Sequence, residues 1–210
     1  MTGKVFNTGK GAIHYWPHIV SGERPWLVFL PGLTADHRLF EKQIEEFKDD
    51  YNLLVWDAPG HASSRPFELS FSLADTAEWL HGIMTQEGVV KPVIIGQSMG
   101  AYIAQALIER YPDCPAGFVS IDSAPLKRIY MKKWELYALK NTKYLYCAYP
   151  WSLLKRHGAK GCAETEYGRR LMYSMMDIYT KKEYCELVSY GYKILAEAIK
   201  ADLAYEIPCP

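Results

Sequence analysis

The first 122 residues of this 210-residue chain alternate between short apolar runs and longer amphipathic ones. Segments 12–16, 26–30, 52–57, 92–96 and 117–122 have the composition of short buried strands. Segments 39–47 and 99–111 carry apolar residues at helical spacing. Ser72 is a good N-cap for a third helix, which places Leu73, Ala77, Leu80 and Met84 on one face. Strands alternating with helices predict an α/β fold: a mostly parallel central sheet with flanking helices. From Ser123 onward the texture changes. Stretches 126–140 and 184–203 read as helices, with a turn marked by Gly158 and Gly161 between them, and no buried strand is predicted before the last few residues. The length fits one domain with a large insertion.

Charge is unevenly distributed. Lys plus Arg and Asp plus Glu each number 24, and this balance argues against a dedicated nucleic-acid binder. Residues 1–122 hold 9 basic against 15 acidic side chains, net −6, whereas 123–210 hold 15 against 9, net +6. Twelve of the sixteen tyrosines also fall in the second segment. The basic excess reads either as solvated helix faces or as a basic cap over an acidic core. Five scattered cysteines, with no C-x-x-C pair, read as reduced thiols. The first residues lack the apolar core of a signal peptide, and no apolar run approaches the ~18 residues of a membrane span. A cytoplasmic protein is the expectation.

The strongest chemical signal is Gly96-Gln97-Ser98-Met99-Gly100, between a predicted strand and a predicted helix. A tight strand-to-helix turn lifts a serine hydroxyl out of the backbone line, and the flanking glycines leave room for the turn. The helix N-terminus places a positive dipole end beneath developing negative charge. A second element, Pro31-Gly32-Leu33-Thr34, follows strand 26–30. It is either an ordinary loop turn or one that aims a backbone N–H at the same point as the N–H of Met99. A third, Asp57-Ala58-Pro59-Gly60-His61-Ala62-Ser63-Ser64, reads as a tight loop whose Asp and Ser side chains cap backbone groups. No metal-ligand set, phosphate loop or G-x-G-x-x-G is present, which points to chemistry without a cofactor or metal.

Together these three motifs, in this order, resemble the α/β-hydrolase superfamily. The resemblance implies an eight-stranded sheet, Ser98 as nucleophile, and the N–H groups of Leu33 and Met99 as the oxyanion hole. It implies domains at 1–122 (core, strands one to six), 123–205 (helical cap) and 206–210 (start of a seventh strand). There are departures: many relatives have His-Gly where this chain has Pro31-Gly32, and Gly where it has Ala62. The triad in this family runs Ser, then Asp or Glu, then His. Since two strand–helix units would normally follow Pro210, the chain reads as a fragment whose catalytic His and acid lie beyond it.

Among the residues present, His37 and His61 sit on loops at the same sheet end as Ser98 and are candidate bases. His81 reads as a packing or surface residue, His14 and His18 belong to an N-terminal hairpin, and His157 lies in the cap. Asp122, at the end of the sixth strand, is a possible triad acid or a loop-ordering residue. The expected function is a serine hydrolase cleaving a carboxylic ester, thioester or related carbonyl through an acyl-enzyme on Ser98. Two alternatives stay open: a C–C bond hydrolase or lyase on the same fold, and a non-catalytic binding protein if the chain ends at Pro210. The expected partner is a small carbonyl-bearing molecule. Self-association, or a complementing C-terminal segment, would cover the sheet edge left at the sixth strand.

Overall fold

A computed structural model describes residues 1–202, with every side chain among them except those at 133, 136, 139, 140 and 142–145. The expected seventh strand at 206–210 and the last residues of the expected cap lie outside the described residues.

The architecture is α/β. Strands β1 (Lys4–Thr8), β2 (Gly11–His18), β3 (Trp26–Leu30), β4 (Asn52–Trp56), β5 (Val93–Gln97) and β6 (Gly117–Ile121) form one six-stranded sheet in the order β1-β2-β4-β3-β5-β6. The pairs β1–β2 and β2–β4 are antiparallel, while β4–β3, β3–β5 and β5–β6 are parallel. Central strands β3 and β4 are buried along their whole length, which is why they read as unbroken apolar runs.

Helices α1 (Glu41–Phe47), α2 (Leu73–Gln86) and α3 (Met99–Arg110) flank the sheet. On one face Leu80, Ile83 and Met84 of α2 and Ile103 and Leu107 of α3 pack on Val28, Leu54 and Ile94. Full burial of each such side chain is worth about 1.5–3 kcal/mol. On the other face Phe40 and the partly buried Ile44 of α1 meet Phe29 and Val55. The predicted cap at Ser72 is a full capping box, with Ser72 and Asp75 satisfying each other's backbone N–H.

After β6 the chain is helical: α4 (Lys133–Ala148), α5 (Trp151–Cys162), α6 (Glu166–Asp177) and α7 (Lys181–Ala201). The turn expected at Gly158 and Gly161 is not there, because α5 runs through both glycines. Gly158 lies against α6, where an added Cβ would stand 3.2 Å from Met176 Sδ, so the glycine serves helix–helix approach rather than a break. Only the short 3-10 turn Arg128–Tyr130 forms in the first part of the expected helix at 126–140. Ile194, Leu195 and Ile199 of α7 join the main core, which fixes the helical segment to the sheet layer. No described helix is long and apolar enough to cross a membrane.

Strand β6 is the open edge of the described sheet. Val119 is 45% exposed and Ile121 41%, high for apolar residues in a strand.

Candidate active site

Ser98 stands between β5 and α3 with φ 49° and ψ −114°, a conformation an L-residue adopts only under constraint. Several contacts impose it. The Ser98 N–H donates to Ile121 O at 2.8 Å, and its carbonyl accepts from Ala101 N at 3.0 Å. A Cβ on Gly96 would lie 2.5 Å from Ala101 Cα, and one on Gly100 would lie 1.9 Å from Leu30 O. The two glycines therefore let the elbow close on itself and on the end of β3. Among the described residues, nothing hydrogen-bonds the Ser98 hydroxyl.

The turn after β3 comes to the same place. Ala35 N donates to Gly32 O at 3.1 Å, closing the turn around Leu33 and Thr34. Gly32 packs on the Gln97 side chain next to Ser98. Met99 opens α3, so its N–H is one of the four at a helix start that lack an intrahelical acceptor. Among the described residues nothing accepts from the Leu33 N–H either. Each strand of the parallel part of the sheet is followed by a non-glycine residue at positive φ: Thr34 at 66°, Ala62 at 36°, Ser98 at 49° and Asp122 at 53°.

Thr34, Ser98 and Asp122 line one cavity of about 580 Å³ between the C-terminal ends of the strands and the helices α4–α7. Leu33 forms part of its floor, and Tyr146, Tyr184 and Tyr192 form its helical wall. Helix α7 reaches down to the turn after β3. Tyr184 stands beside Thr34 at the cavity, and Gly191 is so close to Leu33 that an added Cβ would lie 2.6 Å from its Cδ1. Burial pushes the Tyr184 phenol up to about 12.

Asp122 is held in the left-handed region at a cost of about 1–2 kcal/mol, and among the described residues its side chain makes no hydrogen bond. Asp122→Gly is therefore expected to raise stability by about 0.5–1 kcal/mol, whereas Asp122→Ala is not. Urea midpoints of the two variants check this, and equal midpoints would remove the strain argument.

The loop after β4 is a capping loop, as its residues suggested. One oxygen of buried Asp57 accepts from His37 N at 2.8 Å and His37 Nδ1 at 2.9 Å, and the other from Ser63 N at 2.9 Å. Burial pushes this carboxyl up, but the His37 and Ser63 bonds outweigh it and leave the group below the usual carboxylate range. The Asp36, His37 and Asp57 ligand atoms lie within 4.8 Å of one another. Arg38 occupies the Asp36 carboxylate at 2.6–3.2 Å and N–H donors occupy Asp57, so the cluster is a closed hydrogen-bond network.

Neither candidate base is bonded to Ser98. His37 is turned to Asp57 and stacks on Trp16 at 3.9 Å. His61 is buried, with Nδ1 3.0 Å from Pro59 O, and burial pushes its imidazole below the usual histidine range. His81 stacks on Tyr111, His18 Nε2 meets Lys48 O, and exposed His157 meets Tyr149 OH. The links between α7 and the turn at Leu33-Thr34 had no local signature. Their trace in the sequence is the spacing of Tyr184, Val188 and Tyr192, four apart on one helix face.

Residues 25–146 match the family described as alpha/beta hydrolase fold. The chain belongs to the α/β-hydrolase family. Among curated relatives, a 2-(acetamidomethylene)succinate hydrolase of Mesorhizobium japonicum is 26% identical over 104 residues, 50% of this chain and 37% of that protein. A 2-succinyl-6-hydroxy-2,4-cyclohexadiene-1-carboxylate synthase of Citrobacter koseri is 34% identical over 80 residues, 38% of this chain and 31% of that protein. The matched segments thus span about a third of these relatives' length. Among solved structures, an alpha/beta hydrolase of Nostoc sp PCC 7120 superposes with a TM-score of 0.75 at 16% identity, covering 100% of this chain and 78% of that one.

Proposed function

We propose that the chain carries the nucleophile of a serine hydrolase acting on a carboxylic ester, thioester or related activated carbonyl. The observation that carries this reading is Ser98 itself, held at φ 49° on a strand-to-helix elbow that opens into the cavity. In the proposed reaction Ser98 Oγ attacks the substrate carbonyl carbon while a general base takes its proton. The carbonyl oxygen becomes an oxyanion facing the N–H groups of Leu33 and Met99, each worth about 3–4 kcal/mol at the transition state. Collapse expels the leaving group and leaves an acyl-enzyme, which water then clears. No described histidine is bonded to Ser98, Asp122 is the candidate acid, and residues 1–122 and 123–205 act as catalytic core and cap.

A C–C bond hydrolase or lyase on the same serine is the second reading. It is favoured by the similarity to the Citrobacter koseri protein, which is named a synthase rather than a hydrolase. Turnover of an aryl ester against a diketone separates the two, and a prompt burst on the ester supports the first.

Intact mass after exposure to a fluorophosphonate tests the nucleophile. One adduct is expected on the wild-type chain and none on Ser98→Ala. An unlabelled wild-type chain would mean that Ser98 is not activated in this polypeptide, and the reading would fail for it.

A further inference from the structure

The cavity above Ser98 is wide, and its lining is chemically narrow. Met172, Met176 and Val188 supply an apolar wall beside Leu33, and Tyr146, Tyr184 and Tyr192 add phenol groups. The three phenols lie close enough to one another to interact electrostatically, and Tyr184 stands beside Thr34. Burial raises both Tyr184 and Tyr192 far above neutral pH, so these groups stay as neutral donors. Among the described residues the lining contains no Lys, Arg or His, and its one carboxyl side chain is Asp122. This is notable because the helical segment as a whole is basic: its cations, among them Arg156, Lys160, Arg169 and Arg170, line the outer surface instead.

We propose that this cavity takes an uncharged acyl group of medium size, bearing a hydrogen-bond acceptor that the tyrosines can meet, and rejects acyl groups that end in a carboxylate. The inference deepens the reading of Ser98 as nucleophile and rests on it. The physical reason is desolvation. A buried carboxylate needs a cation or several strong donors, and uncompensated burial pushes it back into water. Asp122, exposed at the rim of the same cavity, adds like-charge repulsion. Methionine and tyrosine walls offer the opposite: polarisable apolar contact that adapts to alkyl or aryl shapes, with a neutral donor at the edge. A volume of about 580 Å³ falls within the usual span of small-molecule sites.

The test uses binding, so that it stands apart from turnover. Ser98→Ala protein is titrated by calorimetry with phenyl hexanoate and with monophenyl adipate, which has the same acyl length and a terminal carboxylate. Phenyl hexanoate is expected to bind at least about tenfold more tightly, reflecting the carboxylate's lost solvation. Met172→Trp, which narrows the cavity, is expected to weaken phenyl hexanoate by about tenfold, with helix content checked by circular dichroism. Asp122→Asn in the same background is expected to improve monophenyl adipate binding several-fold relative to phenyl hexanoate. Should Met172→Trp fail to fold, the Asp122→Asn pair still decides the matter. Equal or tighter binding of the adipate ester overturns the proposal, as does an absence of binding by both esters. Labelling of wild-type Ser98 is read separately, so a failed specificity and a failed nucleophile give different results.

Discussion

Gly100→Ala is expected to destabilise the fold by about 3 kcal/mol or more, a large part of the 5–15 kcal/mol of a typical domain. The added Cβ would stand 1.9 Å from Leu30 O and 2.8 Å from Pro31 O. Both are backbone atoms at the end of a buried strand, so neither can turn aside as a side chain would. Relief requires α3 to move away from β3, and that opens the elbow that holds Ser98. Gly32→Ala is the matched control. Its Cβ would come 2.2 Å from Gln97 Oε1, the far end of a flexible side chain, and 3.1 Å from Gln97 O. A loss under about 1 kcal/mol is expected there. Urea melts of both variants beside wild type measure the difference. A Gly100→Ala protein that melts with wild type would show that the elbow does not press on β3.

Asp57→Ala comes second, with an expected loss of about 3 kcal/mol at pH 7. The substitution strands three donors, His37 N, His37 Nδ1 and Ser63 N, that now converge on a buried carboxylate. The loss should depend on pH with a definite sign. Asp57 is held below its usual range in the folded state, so its contribution is fully present above about pH 4 and fades as pH falls through the folded value. His61 acts in the same direction. Its imidazole is depressed by burial, so the unfolded chain takes up a proton first, below about pH 6.5, and stability drops with acid. The gap between wild type and Asp57→Ala should therefore narrow in acid. A gap that stays constant from neutral to acid pH would mean that Asp57 works through packing alone.

The strands could be read because their burial is continuous. Segments 26–30 and 52–57 match β3 and β4 to within a residue, since both faces of a central parallel strand are covered and leave no polar interruption. The β1 strand, Lys-Val-Phe-Asn-Thr, was not singled out as a strand, because an edge strand carries mixed polarity. Glycines misled the reading of the helical segment. Gly158 and Gly161 suggested a break, but packing of α5 on α6 overrides the weak helix propensity of glycine. The same division runs through the site. The elbow at Ser98 and the capping role of Asp57 are local, written within a few consecutive residues. The close approach of Gly191 to Leu33 joins positions 158 residues apart and exists only once α7 has packed. The group that would take the Ser98 proton has no legible address among the described residues for the same reason: a base is chosen by position in space.

The open edge at β6 has a directional meaning. The strand runs parallel to β5, and its C-terminal end delivers Asp122 to the cavity that holds Ser98. A strand docking along Val119 and Ile121 can do so in two orientations, whether it comes from this chain or another. Parallel docking extends the row of strand ends and brings its trailing loop beside Asp122, within reach of the chemistry. Antiparallel docking covers the same apolar side chains but turns that loop to the opposite end of the sheet. Covering the edge and completing the site are thus separable events, and only the polarity of the arriving strand couples them.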